Sequence, residues 1–101
     1  MLISPRTDVM RLLGDPVRAQ IIAQLADGPA CTCHIVADTG AKQPNISNHL
    51  RVLRDAGLVA AEPRGRFTYY RLVPDALEDS AAHLAQLAMR ARATADSLRE
   101  C

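Results

Sequence analysis

Two cysteines lie close together in the segment Cys31-Thr32-Cys33-His34, and a third, Cys101, is the last residue of the sequence. An odd number of cysteines argues against a scaffold built on disulfide bonds. The thiols therefore serve as core filler, as metal ligands or as redox groups. Thiolates bind soft ions preferentially, and the N-terminus of a helix lowers the pKa of a thiol. Because we expect a helix to begin at Cys31, the two neighbouring cysteines are candidate ligands of a soft ion.

A second group of residues has the chemistry of nucleic-acid recognition. Segment 43–54 places aliphatic side chains at helical spacing and leaves polar ones on the outer face. Short amide and hydroxyl groups on the first turns of a helix suit base edges and phosphates in the major groove, and the positive end of the helix dipole faces the phosphates. The candidate contacts to double-stranded DNA are Gln43, Asn45, Ser47, Asn48, His49 and Arg51.

The segments around these residues predict a helix-turn-helix. Asp15-Pro16 is typical of an N-cap followed by proline at the first helical position, and apolar residues recur at helical spacing to residue 25. A second helix is predicted over 31–39, with Gly40 as its C-terminal stop. After a turn of about three residues a third helix runs from 44 to 57.

A β-hairpin, the wing, is predicted to follow. Residues 58–61 form a short apolar strand, 62–66 contain the proline and glycine of a turn, and 67–72 are rich in strand formers. The turn carries Arg64 and Arg66, which reach an adjacent groove or the DNA backbone if the helix lies in the major groove.

A long terminal helix is predicted from about residue 75 to 98. Its small apolar seam comprises Leu77, Ala81, Leu84, Ala88, Ala91, Ala95 and Leu98. In a chain of 101 residues the available partner for such a seam is another subunit. We therefore predict one domain over 1–101, mainly α with one β-hairpin, in the order α-α-α-α-β-β-α, that forms a homodimer through its terminal helices.

The charge distribution agrees with a DNA-binding face. Residues 42–71 carry six basic and two acidic side chains, whereas the remainder carries six basic and nine acidic ones. No apolar run approaches the ~20 residues that a membrane span needs, and the N-terminus lacks a signal-peptide core. We expect a cytoplasmic protein with no membrane contact.

The combined order of these motifs resembles the ArsR/SmtB (arsenic repressor) family of winged-helix metalloregulators. The similar segments are DPVRAQIIAQLADGP, CTCHIVADTGAKQPNISNHLRVLRDAGLV and PRGRFTYYRL, within roughly residues 8–75. The resemblance implies a homodimeric repressor that binds an inverted repeat in a promoter and leaves the DNA when a metal or metalloid binds. It also places residues 43–51 in the recognition helix and both hairpin arginines in the wing.

The resemblance further implies the inducer. In this family the position of Cys31 and Cys33 often holds a Cys-x-Cys-Asp motif that binds arsenite, antimonite, cadmium or lead. Here His34 replaces the aspartate, and Val36 stands where some arsenite-sensing relatives place a third cysteine. The third ligand is then Cys101, from either subunit, or His34. As(III), Sb(III) or another soft thiophilic ion is expected as inducer, with no organic cofactor.

The spacing of the two cysteines raises a geometric difficulty. On a regular helix, side chains two residues apart point about 200° away from each other. The two sulfurs then cannot hold one ion at the ~2.3 Å of a metal–thiolate bond. We therefore expect ion binding to distort the first turn of this helix, and so to disturb the recognition helix that it braces.

Other interpretations remain open. In the resembled family a second site on the terminal helix has the pattern Asp-x-His followed by His-x-x-Glu and binds zinc, cobalt or nickel. Here Asp79 and His83 are four residues apart on one face, and Thr94 and Ser97 replace the second histidine and the glutamate, so that the pattern fails. Alternatively, the thiols oxidise, with or without Cys101, and act as a redox switch. A winged helix used only for protein contacts is the alternative from another class. An enzyme is not predicted, because the sequence has no Cys-x-x-Cys and no pocket-forming α/β pattern.

Overall fold

A computed structural model describes the backbone of residues 5–100 and the side chains of residues 9–100. Five helices and three strands follow one another along these residues. They are α1 (Pro5–Leu12), α2 (Pro16–Leu25), β1 (Ala30–Cys31), α3 (Thr32–Thr39), α4 (Gln43–Asp55), β2 (Val59–Arg64), β3 (Phe67–Leu72) and α5 (Pro74–Ala93). The predicted order is confirmed, with one added strand.

The core lies where α2, α3 and α4 meet the sheet. Its fully buried side chains are Ile21, Ile35, Ile46, Leu50, Leu53 and Leu58. Three of the six belong to α4, so that the apolar face predicted for this helix is buried and its polar face is directed outward. Val9 and Leu12 extend the same core onto α1.

The ends of the helices follow local signals in the sequence. Asp15 caps α2 as predicted, because its Oδ1 accepts hydrogen bonds from the backbone N–H groups of Val17 (2.9 Å) and Arg18 (3.1 Å). The bond from Arg18 is the largest cause that holds the pKa of Asp15 below its ordinary value. Gly40 ends α3 in the left-handed region, with φ of +73°, and its N–H donates to the Val36 carbonyl.

The sheet has three antiparallel strands in the order β1-β3-β2. The short strand β1 was not predicted: Cys31, expected to open α3, instead pairs with Tyr69 of β3 and serves as the N-cap residue of α3. Its backbone is extended (φ −85°, ψ 165°), and it pairs with a strand that is distant in the chain. A two-residue strand of this kind has no local periodicity, so the sequence pattern did not indicate it.

The wing is longer than predicted and its turn is tighter. Residues 62–64, expected in the turn, belong to β2, whose Arg64 pairs with Phe67. Pro63 is tolerated because β2 is an edge strand of the sheet. Only Gly65 and Arg66 connect the strands, and Gly65 has the positive φ (+62°) that the first central position of a type II′ turn requires.

Helix α5 packs against α1 and ends at Ala93 rather than at the predicted residue 98. Thr94 leaves the helical region (φ −112°, ψ 15°) and its hydroxyl donates to the Arg90 carbonyl at 2.8 Å. Threonine, aspartate and serine compete for backbone groups in this way, which favours a helix end over residues 94–97. Ala95 and Leu98 therefore lie beyond the helical seam. Within residues 5–100, no helix is both long and apolar enough to cross a bilayer.

Replacement of a leucine that anchors α4 tests this description of the core. Leu50 is fully buried, so we expect Leu50→Ala to lower the free energy of unfolding by about 2–5 kcal/mol. Leu98, which is 94% exposed, provides the matched control. Leu98→Ala should change the free energy of unfolding by less than about 0.5 kcal/mol. Urea unfolding monitored by circular dichroism measures both. Equal losses would show that the core is not centred on α4.

Candidate DNA-reading surface and thiol site

The outer face of α4 carries the polar residues predicted to read DNA. Five of the six predicted side chains are exposed: Gln43, Asn45, Ser47, Asn48 and Arg51. Arg51 donates a hydrogen bond of 2.6 Å to the Asn48 Oδ1, which orients both side chains. No side chain caps the N-terminus of α4, and its first turn contains no acidic residue. The first backbone N–H groups of this helix are therefore available to an anion.

His49 is placed differently from the other five. Its side chain is half-buried, and its Nδ1 is buried without a hydrogen-bond partner among the described residues. It is close enough to Asp15, at the start of α2, to be among the smaller electrostatic causes that lower the pKa of that carboxyl group. This histidine thus lies toward α2, whereas the helical pattern alone grouped it with the exposed face.

The wing presents both predicted arginines. Arg64 and Arg66 are exposed, Arg64 at the end of β2 and Arg66 in the turn. The Arg64 Nη2 lies 3.4 Å from the Glu62 Oε2, and its guanidinium carbon lies 5.9 Å from the centre of the Tyr69 ring. An exposed ion pair of this length contributes little to stability, so Arg64 remains available to a phosphate.

The thiol site contains Cys31, Cys33 and His34. One potential ligand atom from each residue lies within 4.8 Å of the other two, and the Cys31 Sγ is 3.3 Å from the His34 Nδ1. Cys31 is buried, whereas Cys33 and His34 are exposed. Two sulfurs and an imidazole nitrogen at this spacing form a donor set that fits a soft or borderline metal ion.

The expectation that the two cysteines lie on opposite sides of one helix was wrong. Because α3 begins at Thr32, Cys31 keeps an extended backbone. The direction of its side chain is therefore not set by the rotation of about 100° per residue that applies within a helix. Its side chain therefore lies beside that of Cys33. The helical geometry therefore does not keep the two sulfurs apart.

The two thiols differ in acidity. The hydrogen bond from the Cys33 thiol is the largest cause that lowers the pKa of Cys31; burial opposes it, and backbone N–H groups of His34 and Cys33 assist it. The same hydrogen bond raises the pKa of Cys33, together with burial and the negative charge of the Cys31 thiolate. Cys31 is therefore the thiol that ionises first, and it is the first thiolate ligand available to an ion.

His34 is also part of the cap of α3. The Cys31 sulfur faces the backbone N–H of His34, and the His34 Nδ1 accepts from the backbone N–H of Cys31 at 3.4 Å, which makes a reciprocal capping box. A neutral imidazole has one lone pair on an unprotonated nitrogen. A metal bond to Nδ1 would therefore replace the capping hydrogen bond.

A cleft of about 310 Å³ connects the thiol site with the DNA-reading elements. Its walls come from the β1–α3 junction, from the first residue of α4 and from the wing. The lining residues are Cys31, Thr32, Cys33, Gln43, Arg66, Phe67, Thr68 and Tyr70. Sequence reasoning missed the contribution of β3, because no local pattern shows which strand pairs with the thiol segment.

The remaining candidate ligands are Cys101, Asp79 and His83. Cys101 is outside the described residues. His83 is half-buried on α5, and neither it nor Asp79 belongs to a three-residue ligand cluster within the described part of the chain.

Comparison with known proteins places residues 15–61 in the family described as bacterial regulatory protein, arsR family. The chain is 36% identical over 73 residues to the HTH-type transcriptional regulator MJ1325 of Methanocaldococcus jannaschii, covering 71% of this chain and 82% of that one. It is 36% identical over 80 residues to the HTH-type transcriptional repressor SmtB of Mycobacterium tuberculosis. It is 37% identical over 68 residues to the arsenic resistance transcriptional regulator ArsR1 of Pseudomonas putida. The last two alignments cover 75% and 66% of this chain but only 59% and 53% of those relatives.

Solved structures show the same fold. A crystal structure of a "possible transcriptional regulator for arsenical resistance" superposes with a TM-score of 0.74 at 33% identity, over 91% of this chain and 98% of that one. The homodimeric winged helix-turn-helix DNA-binding domain Mb0332 of Mycobacterium bovis, a possible ArsR-family transcriptional regulator, gives a TM-score of 0.69 at 30% identity, over 86% of this chain and 80% of that one. The predicted winged helix-turn-helix is confirmed, and the relatives are transcriptional regulators rather than enzymes.

The hydrogen bond between the thiols can be tested by removing one of them. In a Cys101→Ser background, Cys33→Ala removes the donor, so the pKa of Cys31 should rise toward its ordinary value and its thiolate should form at higher pH. Cys31→Ala in the same background should move the pKa of Cys33 in the opposite direction, downward. Thiolate absorbance in the ultraviolet, followed against pH, measures both. Shifts of the same sign in the two variants would contradict the assignment of donor and acceptor.

Proposed function

Because the chain belongs to the arsR family of bacterial DNA-binding transcriptional regulators, we propose that it is a cytoplasmic repressor that binds operator DNA as a homodimer and dissociates when a soft ion binds its thiols. One observation carries the DNA-binding part of this proposal. An uncapped, acid-free helix N-terminus with an exposed amide and hydroxyl face lies in the same molecule as a wing with two exposed arginines.

The two elements contribute different kinds of contact. Asn48 and Ser47 lie on the exposed face of α4, where an amide or hydroxyl reads base edges in the major groove. Arg64 and Arg66 carry charge on a hairpin, which suits contacts to phosphates or to the adjacent groove. Operator recognition then depends on α4, and much of the salt-dependent affinity depends on the wing.

The homodimer is supported by the shape of the single chain and by its exposed apolar surface. The radius of gyration is 17.1 Å, compared with about 13 Å for a compact domain of this length. Leu84, Leu87 and Met89 on α5 are each at least 41% exposed. A second copy packed along α5 buries these side chains, and its two-fold symmetry matches an inverted repeat. The structurally similar DNA-binding domain Mb0332 of Mycobacterium bovis is homodimeric.

The inducer proposal depends on the thiol site. Cys31, Cys33 and His34 would hold the ion, and a bound As(III), Sb(III), Cd(II) or Pb(II) would supply a soft Lewis acid that prefers thiolate ligands. Cys101 of either subunit is the proposed additional thiolate for a metalloid that takes three sulfurs. The relative ArsR1 is an arsenic resistance regulator, which favours this class of inducer.

The release of DNA is proposed to follow from the dual role of His34. The His34 Nδ1 accepts the hydrogen bond from the Cys31 backbone, and it could not accept this bond if it were a ligand of an ion, so that the cap of α3 would open. Helix α3 packs directly against α4, and a change at its start therefore alters the support of the recognition helix.

A redox switch is the second candidate, because the Cys31 and Cys33 sulfurs lie within 4.8 Å of each other. Oxidation by a peroxide would remove the thiolates that the ion needs.

The division between base and phosphate contacts predicts two different responses. Asn48→Ala should weaken binding to the cognate operator by about 1–3 kcal/mol and leave binding to unrelated DNA nearly unchanged. Arg64→Ala should weaken both, and reduce the slope of log K against log salt by about 0.9. Fluorescence anisotropy over a range of salt concentrations measures these affinities and their salt dependence. The same titrations give the number of chains bound per inverted repeat. Arg92→Ala, which removes a charge from α5, is the control. Identical behaviour of the two variants would contradict the division.

The thiol site predicts a separable loss of induction. Cys31→Ser combined with Cys33→Ser should keep operator affinity within about threefold, because neither sulfur lies on the DNA-reading face, and should abolish release by the ion. Titrations with arsenite, cadmium and peroxide in separate experiments identify the class of inducer. Cys101→Ser is the matched control: loss of arsenite release alone would identify it as the third sulfur ligand. Undiminished release from the double variant would place the sensor elsewhere.

A further inference from the structure

Tyr69 occupies the middle of the sheet, between the thiol site and the wing. It belongs to β3, the central strand, and pairs with Cys31 on one side and with Glu62 on the other. Its backbone therefore links a thiol ligand to the strand that carries Arg64.

The side chain of Tyr69 makes the same connection. The His34 ring lies 6.4 Å from the Tyr69 ring, at an interplanar angle of 65°, which is an edge-to-face contact. The guanidinium of Arg64 lies 5.9 Å from the centre of the same ring, within the range of a cation–π interaction. Tyr69 is half-buried, so these contacts are partly shielded from solvent.

We propose that Tyr69 is a positioning residue that couples the thiol site to the wing, so that occupancy of the site changes the position of Arg64. The proposal rests on the proposed function, because it assigns a route to the release of DNA. The thiol site would then affect DNA binding by two routes, through α3 to the recognition helix and through the sheet to Arg64.

The coupling begins at His34. Its Nδ1 accepts the hydrogen bond from the Cys31 backbone, which orients the imidazole ring; if Nδ1 were instead a metal ligand, the ring would no longer be oriented by the cap. An edge-to-face contact depends on ring orientation, because the positive edge of one ring faces the negative face of the other. The contact between His34 and Tyr69 must therefore change when the site is filled.

The coupling ends at Arg64, which two contacts hold. The ring of Tyr69, on β3, attracts the Arg64 guanidinium. The carboxylate of Glu62, on β2, lies 3.4 Å from the Arg64 Nη2. When the ring moves, the balance shifts toward Glu62, and the arginine is withdrawn from the position in which it meets a phosphate. An exposed cation–π contact corresponds to about a two- to fivefold change in an equilibrium constant.

The test compares Tyr69→Ile with Tyr69→Phe in the full-length protein. Isoleucine keeps the strand preference and removes the aromatic face, whereas phenylalanine keeps that face. Cadmium is the probe, and its binding is followed by thiolate–metal absorbance. The first measurement is the coupling factor, the ratio of operator affinities without and with cadmium. The second is the cadmium-induced shift of the Arg64 Nε–Hε resonance in the free protein, which does not depend on DNA.

We expect Tyr69→Ile to bind cadmium like the wild type and to bind the metal-free operator about two- to fivefold more weakly, because Arg64 loses its contact with the ring. The coupling factor should fall by the same two- to fivefold, and the cadmium-induced shift of Arg64 should be lost. Tyr69→Phe should restore both. Phe67→Ile, an aromatic replacement on the same strand and beside the same cleft, should behave like the wild type. A general loss of fold would appear as weaker cadmium binding by Tyr69→Ile, and Tyr69→Phe would then decide the matter.

The outcomes separate the two proposals. If wild-type cadmium binding leaves the Arg64 resonance unmoved, or if Tyr69→Ile keeps the full shift and coupling factor, the role of Tyr69 is overturned. If cadmium shifts Arg64 through Tyr69 but does not release the operator, the coupling is supported and the proposed induction fails. Absence of cadmium binding by the wild type overturns both.

Discussion

The pairing of Ala30 and Cys31 with the central strand β3 is the contact on which the rest of the site depends. It keeps Cys31 extended, so that α3 begins one residue later and the two thiols lie side by side. The same pairing brings the thiols against Tyr69 and the base of the wing. Antiparallel backbone hydrogen bonds determine this register, and the register determines which side chains are neighbours. Without it, Cys31 and Cys33 would be two residues of one helix with diverging side chains.

Burial of one face of α4 is the second constraint. Ile46, Leu50 and Leu53 are completely enclosed by α2, α3 and the sheet, which sets the rotation of the helix about its axis. Since that rotation is fixed by the core, the polar residues of the opposite face are directed outward without any interaction of their own. The N-terminus of α4 is left without a side-chain cap, which is unfavourable for an isolated helix but suits a helix that meets phosphates.

The thiol site and the DNA-reading surface share one cleft, so they are not independent. Cys33 and Gln43 lie on its walls together with Arg66. His34 serves the cap of α3 and is also a potential metal ligand, and a single lone pair cannot do both. The capping hydrogen bond and an ion would therefore compete for the same nitrogen atom of His34.

The sequence by itself determined the elements that local physics controls. The cap at Asp15, the stop at Gly40, the apolar spacing of α4 and the strand formers of the wing each act within a few residues, and each predicted its element. The combined order of the motifs also indicated the family. Tertiary structure decided the rest: strand β1, the neighbourhood of Cys31 and Cys33, the half-buried position of His49, and the place of Tyr69 between the two sites. These features depend on pairing and packing between segments far apart in the chain, and no local periodicity encodes such contacts.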